Sequence, residues 1–439
     1  MKIRTVSQLN THMGQTVTLQ GWVQALRDQK RMQFLILRDR TGCVQATLER
    51  ASNPALAESV SGLARESAVR ITGHVAENPQ VHLGGVELHL TGLRVENQAA
   101  SPLPLDPVGE SQAGLDHRLN WRHLDLRHPA NRLMFQVQTT AEMAMREYWL
   151  SEGFIELHSP KLMGSASEFG AEVFELAYFN TTAYLAQSPQ FYKQMAMAAG
   201  FNRVFEIAPV FRADPSFTSR HTTEFTSVDV EMAWIASHED LMAFEEQWLR
   251  HVIQTVKHRH GPEIQAHFGV DLTVPECPFP RIPMCEALRV LAQQGYEPPA
   301  ERAGDLDPEG ERLLGEHVRK TYNHGFVFLT DYPVSVRPFY HMRYLQTPET
   351  TLSFDLLWNG LEITTGAQRE HRPEVLERQA LEKGLGLDGI RFYLDGFKYG
   401  CPPHGGFGFG LARMLMVMLN RSSIRETTFM PRTPNRLHP

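Results

Sequence analysis

Short segments of alternating apolar and polar residues dominate the first hundred positions of the chain. Five of them are predicted to be β-strands: QTVTLQGWVQAL, MQFLILRDR, CVQATLE, SAVRITGHVAE and VELHLTGLRV. Strict alternation is the pattern of a strand that buries one face. Residues 54–65 have helical spacing instead. Five short strands around one helix predict a small barrel.

The alternation ends at QAASPLPLDPVGESQAGLD, residues 98–116, where prolines and small residues replace it. We therefore predict a barrel domain over residues 1–100, a linker over 101–130 and a second domain over 131–439. The five strands of the first domain favour a Greek-key barrel of the OB type.

The second domain opens with apolar residues at helical spacing over 131–154. The next segment, FIELHSPKL, is predicted to be a strand that ends at Pro160. Further strands are predicted at AYLAQSP, RVFEIAPVF, FTSVDVEMAW, GFVFLTDYP and TLSFDLLWNGLEITTGA and near the C-terminus, with helices at 190–200, 239–258 and 373–385. Strands that follow one another as hairpins favour an antiparallel sheet flanked by helices, so we expect an α+β fold.

Two common nucleotide-binding loops are missing from the sequence. There is no GxGxxG after a first strand and no GxxxxGK[ST]. Glycines cluster instead in PPHGGFGFGLARML, residues 402–415, which we predict to be a loop that leads into a helix carrying Arg413.

Composition limits the class of protein. The chain has 439 residues, of which 42% are hydrophobic and 21% charged, and no apolar stretch approaches membrane-spanning length. Its four cysteines include no CxxC pair, so neither a zinc site nor a disulfide framework is indicated and a reducing cytoplasm is expected. The net charge of −7 means that any binding of nucleic acid must be local.

One such local surface is predicted in the barrel, in RDQKRMQFLILRDR. It combines Phe34 with five cations, Arg27, Lys30, Arg31, Arg38 and Arg40. Exposed aromatic and basic side chains bind single-stranded RNA on OB barrels by stacking and charge. The alternative is a solvated charged hairpin with Phe34 turned into the core.

The second domain carries the parts of a nucleoside triphosphate site. Without a P-loop, such a site needs cations for the phosphates, a flat apolar face for the base and carboxylates for magnesium. Three separate segments supply these parts: Arg212, Arg220, His221 and Phe225 in the first, Glu362, Thr364 and Thr365 in the second, and Arg413 in the third. Surface ion pairing would explain any one arginine alone.

These segments resemble the class II aminoacyl-tRNA synthetases, and within them the aspartyl-tRNA synthetases of archaeal type, over almost the whole chain. GFIELHSPKL resembles the first motif, which implies a homodimer with Pro160 at its interface. FRADPSFTSRHTTEFTSVDVE resembles the second motif, and GGFGFGLARML resembles the third.

The resemblance implies ATP as substrate and Mg²⁺ as cofactor. It implies that Arg212 contacts the α-phosphate, that Arg220 and His221 face the outer phosphates, and that Phe225 lies under adenine, with Arg413 on the far side. Magnesium would be held by Glu362 and Thr365. The rest of the implied ATP site is Ala213, Asp214, Thr222, Gly410, Leu411 and Ala412. Relatives often have an acidic residue in place of Ala412 and serine in place of Thr365.

AQSPQFYKQ resembles the aspartyl pattern QSPQxxK, in which the lysine, here Lys193, pairs with the substrate side-chain carboxylate. Arg369 matches a second cation, and Glu168 matches the carboxylate that meets the substrate α-amino group. The remaining implied aspartate contacts are Gln190, Arg212 and Thr365. Without the resemblance, Lys193 would be a solvent-facing helix lysine.

In such an enzyme the barrel reads the anticodon, here through Gln24, Arg27, Phe34 and Gln45. Relatives that discriminate between aspartate and asparagine tRNAs often have a second tryptophan after GWV, where this chain has Gln24. A glutamine amide can both donate and accept, so we expect tRNA(Asp) and also tRNA(Asn) as partners. A tRNA-dependent amidotransferase would then be a further partner.

Two other functions stay open on the sequence. The first is a sister enzyme, asparaginyl- or lysyl-tRNA synthetase, against which Lys193 and Arg369 count. The second is a non-catalytic paralogue, which should have lost motif residues such as Arg212, Glu362 or Arg413.

Overall fold

The computed structural model describes residues 3–109, 113–165, 173–215 and 218–438. The chain divides into two compact units, Met1–Ala113 and Gly114–Pro439. Each unit contains its own cluster of buried apolar side chains.

The first unit is a closed β-barrel with one helix. Its elements are β1 (Ile3–Arg4), β2 (Thr16–Asp28), β3 (Met32–Arg38), β4 (Cys43–Glu49), α1 (Pro54–Ser61), β5 (Ala68–Glu77) and β6 (Val86–Asn97). Strands β2, β3, β4, β6 and β5 are bonded in that order, and β5 pairs back with β2. This ring of five strands confirms the OB-type barrel expected from the alternating pattern.

Strand β3 shows how the alternation builds the barrel. Gln33, Leu35 and Leu37 are at most 1% exposed and face inward. Phe34 lies on the opposite face of the strand and is only half-buried. Its placement in the barrel core, the alternative left open by the sequence, is therefore wrong. The prediction that Arg38 belongs to the basic surface is also wrong, because Arg38 is buried and forms a salt bridge with Glu66 at 2.8 Å.

The second unit combines a large sheet with helices. Its helices are α2 (Leu115–Asn120), α3 (Arg122–Asp125), α4 (Pro129–Ser151), α5 (Gln190–Ala198), α6 (His238–Phe268), α7 (Met284–Ala292), α8 (Pro308–Tyr322), α9 (Pro373–Glu382), α10 (Arg391–Phe397) and α11 (Leu411–Met418). Its strands are β7 (Ile155–Glu156), β8 (Leu162–Met163), β9 (Glu175–Tyr178), β10 (Thr181–Leu185), β11 (Arg203–Phe211), β12 (Glu224–Ala233), β13 (Arg281–Pro283), β14 (Phe326–Thr330), β15 (Ser353–Trp358), β16 (Leu361–Arg369) and β17 (His404–Gly410).

The large sheet has the order β13-β14-β15-β16-β17-β12-β11-β7. All its pairs from β14 to β11 are antiparallel, and only the short edge strands β13 and β7 pair in parallel. Helices α4 and α6 pack on one face, where Trp149 and Trp248 meet with ring centroids 5.3 Å apart. The expected antiparallel α+β arrangement is confirmed.

Three local predictions differ from the structure. The strand predicted at FIELHSPKL is two short strands, β7 and β8, because Ser159 bonds through its amide and hydroxyl to the Glu206 carboxylate instead of to a neighbouring strand. Helix α6 continues through Pro262 to Phe268, since Ile264 and Phe268 are buried in the core. The glycine-rich segment predicted as a loop is strand β17.

Candidate active site

A cavity of about 290 Å³ opens on the large sheet of the second unit. Strands β12, β16 and β17, the connection between β11 and β12, and the segment 337–341 supply its walls. The predicted site residues that line it are Gln190, Arg212, Asp214, Arg220, His221, Thr222, Phe225, Glu362, Thr365, Arg369, Gly410, Ala412 and Arg413. Residues from the three separate sequence segments therefore meet at one cavity.

Alternation along the strands determines which side chains reach the cavity. On β12, Phe225, Ser227 and Asp229 share one face and all line it. On β16, Thr365 and Arg369 are four residues apart and share a face in the same way. The residues predicted to bind the nucleotide and Arg369, which is predicted to bind aspartate, therefore belong to one continuous surface.

Strand β17 contributes Gly408 and Gly410 to this surface, and Gly406 lies two residues before Gly408 on the same strand. A Cβ atom on Gly406 would lie 2.0 Å from the carbonyl oxygen of Val230 and 2.2 Å from Glu231 Oε2. No side chain fits at those distances, so glycine is required for β12 and its carboxylates to pack over the strand. This close approach explains why a glycine-rich stretch is a strand here.

Cations line one end of the cavity. The guanidinium of Arg212 lies 5.5 Å from the centre of the Phe225 ring, a cation–π distance. Arg413 Nη1 lies 3.2 Å from Glu362 Oε1. Burial and the neighbouring Arg413 lower the pKa of His221, so this imidazole is neutral near pH 7. The arrangement suits a polyanion beside a flat ring.

Glu362 is close to a second carboxylate that the sequence did not single out. Glu311, on α8, accepts a hydrogen bond from the Glu362 backbone amide at 3.1 Å and pairs with Arg220 at 2.8 Å. Burial and the charge of Glu362 raise the pKa of Glu311 to about 7. Helix α8 was not predicted, although Asp307 and Pro308 at its start are ordinary helix-start residues.

The oxygen atoms near Glu362 suit a hard cation. Thr365 Oγ1 lies 3.3 Å from Glu362 Oε1, and both side chains face the cavity. Carboxylate and hydroxyl oxygens are the ligand types that magnesium takes, with water and phosphate completing its shell. Among the described residues no group of three or more His, Cys, Asp or Glu side chains could hold a metal ion alone. The site therefore fits magnesium only together with a phosphate ligand.

At the other end of the cavity, the lining residues Asp229 and Arg369 belong to a buried cluster of two cations and two carboxylates. Lys193 Nζ lies 3.0 Å from Asp229 Oδ1 and 3.3 Å from Glu231 Oε2. Arg369 Nε lies 3.1 Å from Glu231 Oε1. Lys193 is 4% exposed, which excludes a solvent-facing helix lysine. Asp229 and Glu231 were missed by the sequence, although VDVE on a strand is the alternating pattern that places both on one face.

Some predicted residues do not line the cavity. Lys193 lies behind Asp229, Ala213 lies between two lining residues, and Leu411 is buried at the start of α11. Glu168 lies outside the described residues. The roles assigned to these four residues stay predictions, as do those assigned to the lining residues.

The predicted anticodon residues lie on the barrel strands. Arg27 on β2 lies 5.8 Å from the Phe34 ring on β3. Gln45 Nε2 on β4 lies 3.5 Å from Glu87 Oε2. The oxygen of the Gln24 amide accepts a hydrogen bond from the Cys43 thiol at 3.1 Å, so its NH₂ group is the end left to turn outward.

Comparison with known proteins agrees with this fold. Residues 114–434 match the family model of tRNA synthetases class II (D, K and N), and residues 17–96 match the OB-fold nucleic acid binding domain. The chain therefore belongs to the class II tRNA synthetases of the D, K and N group, which confirms the family expected from the motifs.

Relatives with related names match over nearly the full length. An aspartate–tRNA(Asp/Asn) ligase of Methanopyrus kandleri is 45% identical over 97% of this chain and 96% of its own length. An aspartate–tRNA(Asp) ligase of Thermococcus kodakarensis is 42% identical over 97% of each chain. The crystal structure of asparaginyl-tRNA synthetase from Pyrococcus horikoshii with asparaginyl-adenylate has a TM-score of 0.92 at 34% identity and covers 100% of both chains.

In the part of the chain that the structure describes, no helix is both long and apolar enough to cross a bilayer. All four cysteines are free thiols.

Proposed function

We propose that this protein is an aspartate–tRNA ligase, which activates L-aspartate with ATP and transfers it to the 3′ end of tRNA. The observation that carries the proposal is the buried guanidinium of Arg369 in the wall of the same cavity that holds Arg212 and Phe225. A cation that deep selects a substrate with a carboxylate side chain. The names of the full-length relatives support the same substrate.

The first step is an in-line attack of the aspartate α-carboxylate on the α-phosphorus of ATP. Aspartyl-adenylate forms and pyrophosphate leaves, and no protein nucleophile is needed. Arg212 offsets the negative charge that grows at the α-phosphate, while Phe225 beside it supports the adenine ring. Arg220 and Arg413, which both line the cavity, would bind the phosphates.

Glu362 and Thr365 would hold magnesium, which would supply positive charge against the phosphates. The methyl group that distinguishes Thr365 from serine leaves its hydroxyl oxygen 3.3 Å from Glu362 Oε1, so the ligand type is kept. Ala412 lines the cavity and carries no charge, so it offers Arg413 no carboxylate. The carboxylate partner of Arg413 is Glu362.

In the second step the 3′-hydroxyl of the terminal tRNA adenosine attacks the carbonyl of the adenylate. His221 is the imidazole that lines the nucleotide end of the cavity, and its position beside Arg413 suits phosphate binding more than proton transfer. We infer that positioning of the two reactants carries this step.

The second candidate is asparaginyl-tRNA synthetase, because a structure of that enzyme is among those with the same fold. A neutral amide would offer the remaining N–H bond of Arg369 a weaker acceptor than a carboxylate does, which costs affinity. Pyrophosphate exchange with each of the twenty amino acids separates the candidates. We expect exchange with aspartate alone. Exchange with asparagine or lysine would identify a sister enzyme. The absence of exchange with any amino acid would identify a non-catalytic paralogue.

For the tRNA we propose both tRNA(Asp) and tRNA(Asn). The two anticodons differ only in their last base, cytosine or uracil, and Gln24 offers a small polar amide where a tryptophan would form a rigid wall. Aspartyl-tRNA(Asn) would then need a tRNA-dependent amidotransferase as the next partner. The relatives named above include a ligase for both tRNA(Asp) and tRNA(Asn) and a ligase for tRNA(Asp).

We further propose a homodimer in the cytoplasm. Pro160 is exposed, and four exposed apolar side chains lie on either side of it in the sequence. These side chains are Met143, Leu150, Ile155 and Leu162. Such side chains on α4, β7 and β8 suit a two-fold contact. Free thiols fit a reducing compartment.

A further inference from the structure

His341 is a buried histidine beside Arg369 to which the proposed reaction gives no role. It lies in the segment 337–341 that lines the cavity, is 2% exposed, and pairs through its backbone with Arg369 as an isolated antiparallel bridge. Arg369 Nη1 lies 2.9 Å from His341 Nε2. The two side chains therefore form a hydrogen bond within the wall of the proposed aspartate site.

The chemistry of this bond defines the tautomer of His341. A guanidinium has donors only, so Nε2 must accept and carries no hydrogen. The hydrogen of the neutral ring is then on Nδ1, which has no partner among the described residues. Burial and the positive charge of Arg369 also lower the pKa of His341 well below its usual value, which keeps the ring neutral.

The donors of Arg369 are almost all used within the protein. Nε binds Glu231 at 3.1 Å, and Nη2 binds Gln190 Oε1 at 3.3 Å and the Gly406 carbonyl oxygen at 2.9 Å. Nη1 donates one hydrogen to His341. Of the five N–H bonds of a guanidinium, one therefore has no partner in the described part of the chain, and it is on Nη1.

We propose that His341 is a positioning residue for aspartate binding. By accepting from Nη1 it holds the guanidinium plane so that the last free N–H bond of Arg369 faces the substrate side-chain carboxylate. Because its acceptor is a neutral imidazole nitrogen, it orients Nη1 without adding a negative charge that would compete with the substrate. This inference rests on the proposed assignment of Arg369 to aspartate.

The test is pyrophosphate exchange by the full-length protein with aspartate and ATP varied separately. We expect His341→Leu to raise the KM for aspartate about tenfold or more and to leave the KM for ATP within about twofold, since only the amino-acid contact is lost. His341→Gln places an acceptor oxygen near the position of Nε2 and should restore the KM for aspartate to within about threefold of wild type. His371→Leu, a half-buried histidine outside the cavity wall, is the matched control and should change neither KM.

Each alternative outcome has a definite meaning. An unchanged aspartate KM in His341→Leu, an equal rise in both KM values, or a glutamine variant as impaired as the leucine variant would overturn the positioning role. If His341→Leu does not fold, His341→Asn replaces it, because its shorter acceptor cannot reach Nη1, and it should be impaired where His341→Gln is not. Wild-type exchange with asparagine instead of aspartate would refute the proposed function itself, whereas aspartate exchange with unaffected variants would refute this inference alone.

Discussion

Lys193 Nζ lies 3.0 Å from Asp229 Oδ1, and both side chains are nearly inaccessible to solvent. The lysine that the sequence assigns to the substrate thus already has a carboxylate partner within the protein. Glu231 joins Lys193 to Arg369, so two cations and two carboxylates balance. A balanced cluster can stay charged in a buried site and still attract an incoming carboxylate through Arg369.

Replacing Lys193 should separate amino-acid activation from ATP binding. We expect Lys193→Leu to reduce aspartate-dependent pyrophosphate exchange about a hundredfold or more, because Asp229 would then repel the substrate carboxylate. The free energy of unfolding should fall by about 3–5 kcal/mol, the usual cost of leaving a buried charge unpaired. ATP binding should persist, and it can be measured by the increase in melting temperature that ATP causes. Exchange within about threefold of wild type would contradict the pocket assignment.

Gly406 on β17 should not accept a methyl group. We expect Gly406→Ala to lower the free energy of unfolding by about 3 kcal/mol, because the new Cβ meets the Val230 carbonyl oxygen at 2.0 Å. Gly386→Ala is the matched control, since its φ of −72° suits alanine and nothing lies within 4 Å of its Cβ position. Denaturant unfolding of both variants measures the difference. Equal stabilities would show that β12 and β17 can separate without cost.

Glu245 should make stability depend on pH. Burial raises the pKa of this fully buried carboxyl to about 8 from a usual value near 4.5. Between these two values the folded protein keeps a proton that the unfolded chain loses, so stability is lost as pH rises through this window, by about 1.4 kcal/mol per pH unit. Glu245→Gln keeps an acceptor for Thr364, whose hydroxyl lies 2.5 Å from Glu245 Oε1, and removes the titration.

Urea unfolding at pH 5, 6.5 and 8 checks this prediction. The free energy of unfolding should fall less between pH 5 and pH 8 in Glu245→Gln than in wild type. Glu263→Gln, at an exposed position on the same helix, should show the same pH dependence as wild type. Parallel curves for all three proteins would mean that Glu245 is already ionised in the fold.

The two tRNAs should be charged at comparable rates. We expect the kcat/KM values for tRNA(Asp) and tRNA(Asn) transcripts to differ by less than about a hundredfold, which is roughly 2.7 kcal/mol. Gln24→Trp should lower the value for tRNA(Asn) more than that for tRNA(Asp), because a tryptophan at this position would form a rigid wall beside the last anticodon base. A wild-type preference above that limit would establish a discriminating enzyme.

The protein should be a dimer at micromolar concentration. Light scattering should give twice the 49.9 kDa of one chain. Leu150→Glu, at a 60% exposed position on α4, should shift the mass toward one chain, because it places a charge in the proposed contact. Leu437→Glu changes a leucine that is 74% exposed and lies outside the proposed contact, and it should leave the mass unchanged. A wild-type mass of one chain would refute the dimer.

Local chemistry explains what was predictable from the sequence. Alternation of period two specifies which face of a strand is buried, so the five barrel strands and the hairpin of β11 and β12 were predicted from pattern alone. Arginines, an aromatic ring and a carboxylate are the groups that a nucleotide requires, so Arg212, Phe225 and Glu362 could be assigned before their geometry was known. The residue types restricted the chemistry because few side chains can do it.

The tertiary structure decided which groups meet. Glycine has no side chain to form an alternating pattern, so the glycine-rich segment is recognised as a strand only from its backbone pairing with β12 and β16. Glu311 reaches Arg220 from α8, 91 residues further along the chain, and no local pattern encodes such a contact. The partners of Lys193 and the bond between His341 and Arg369 also join separate elements. Charge and shape at the substrate site therefore depend on long-range packing, which residue types alone do not specify.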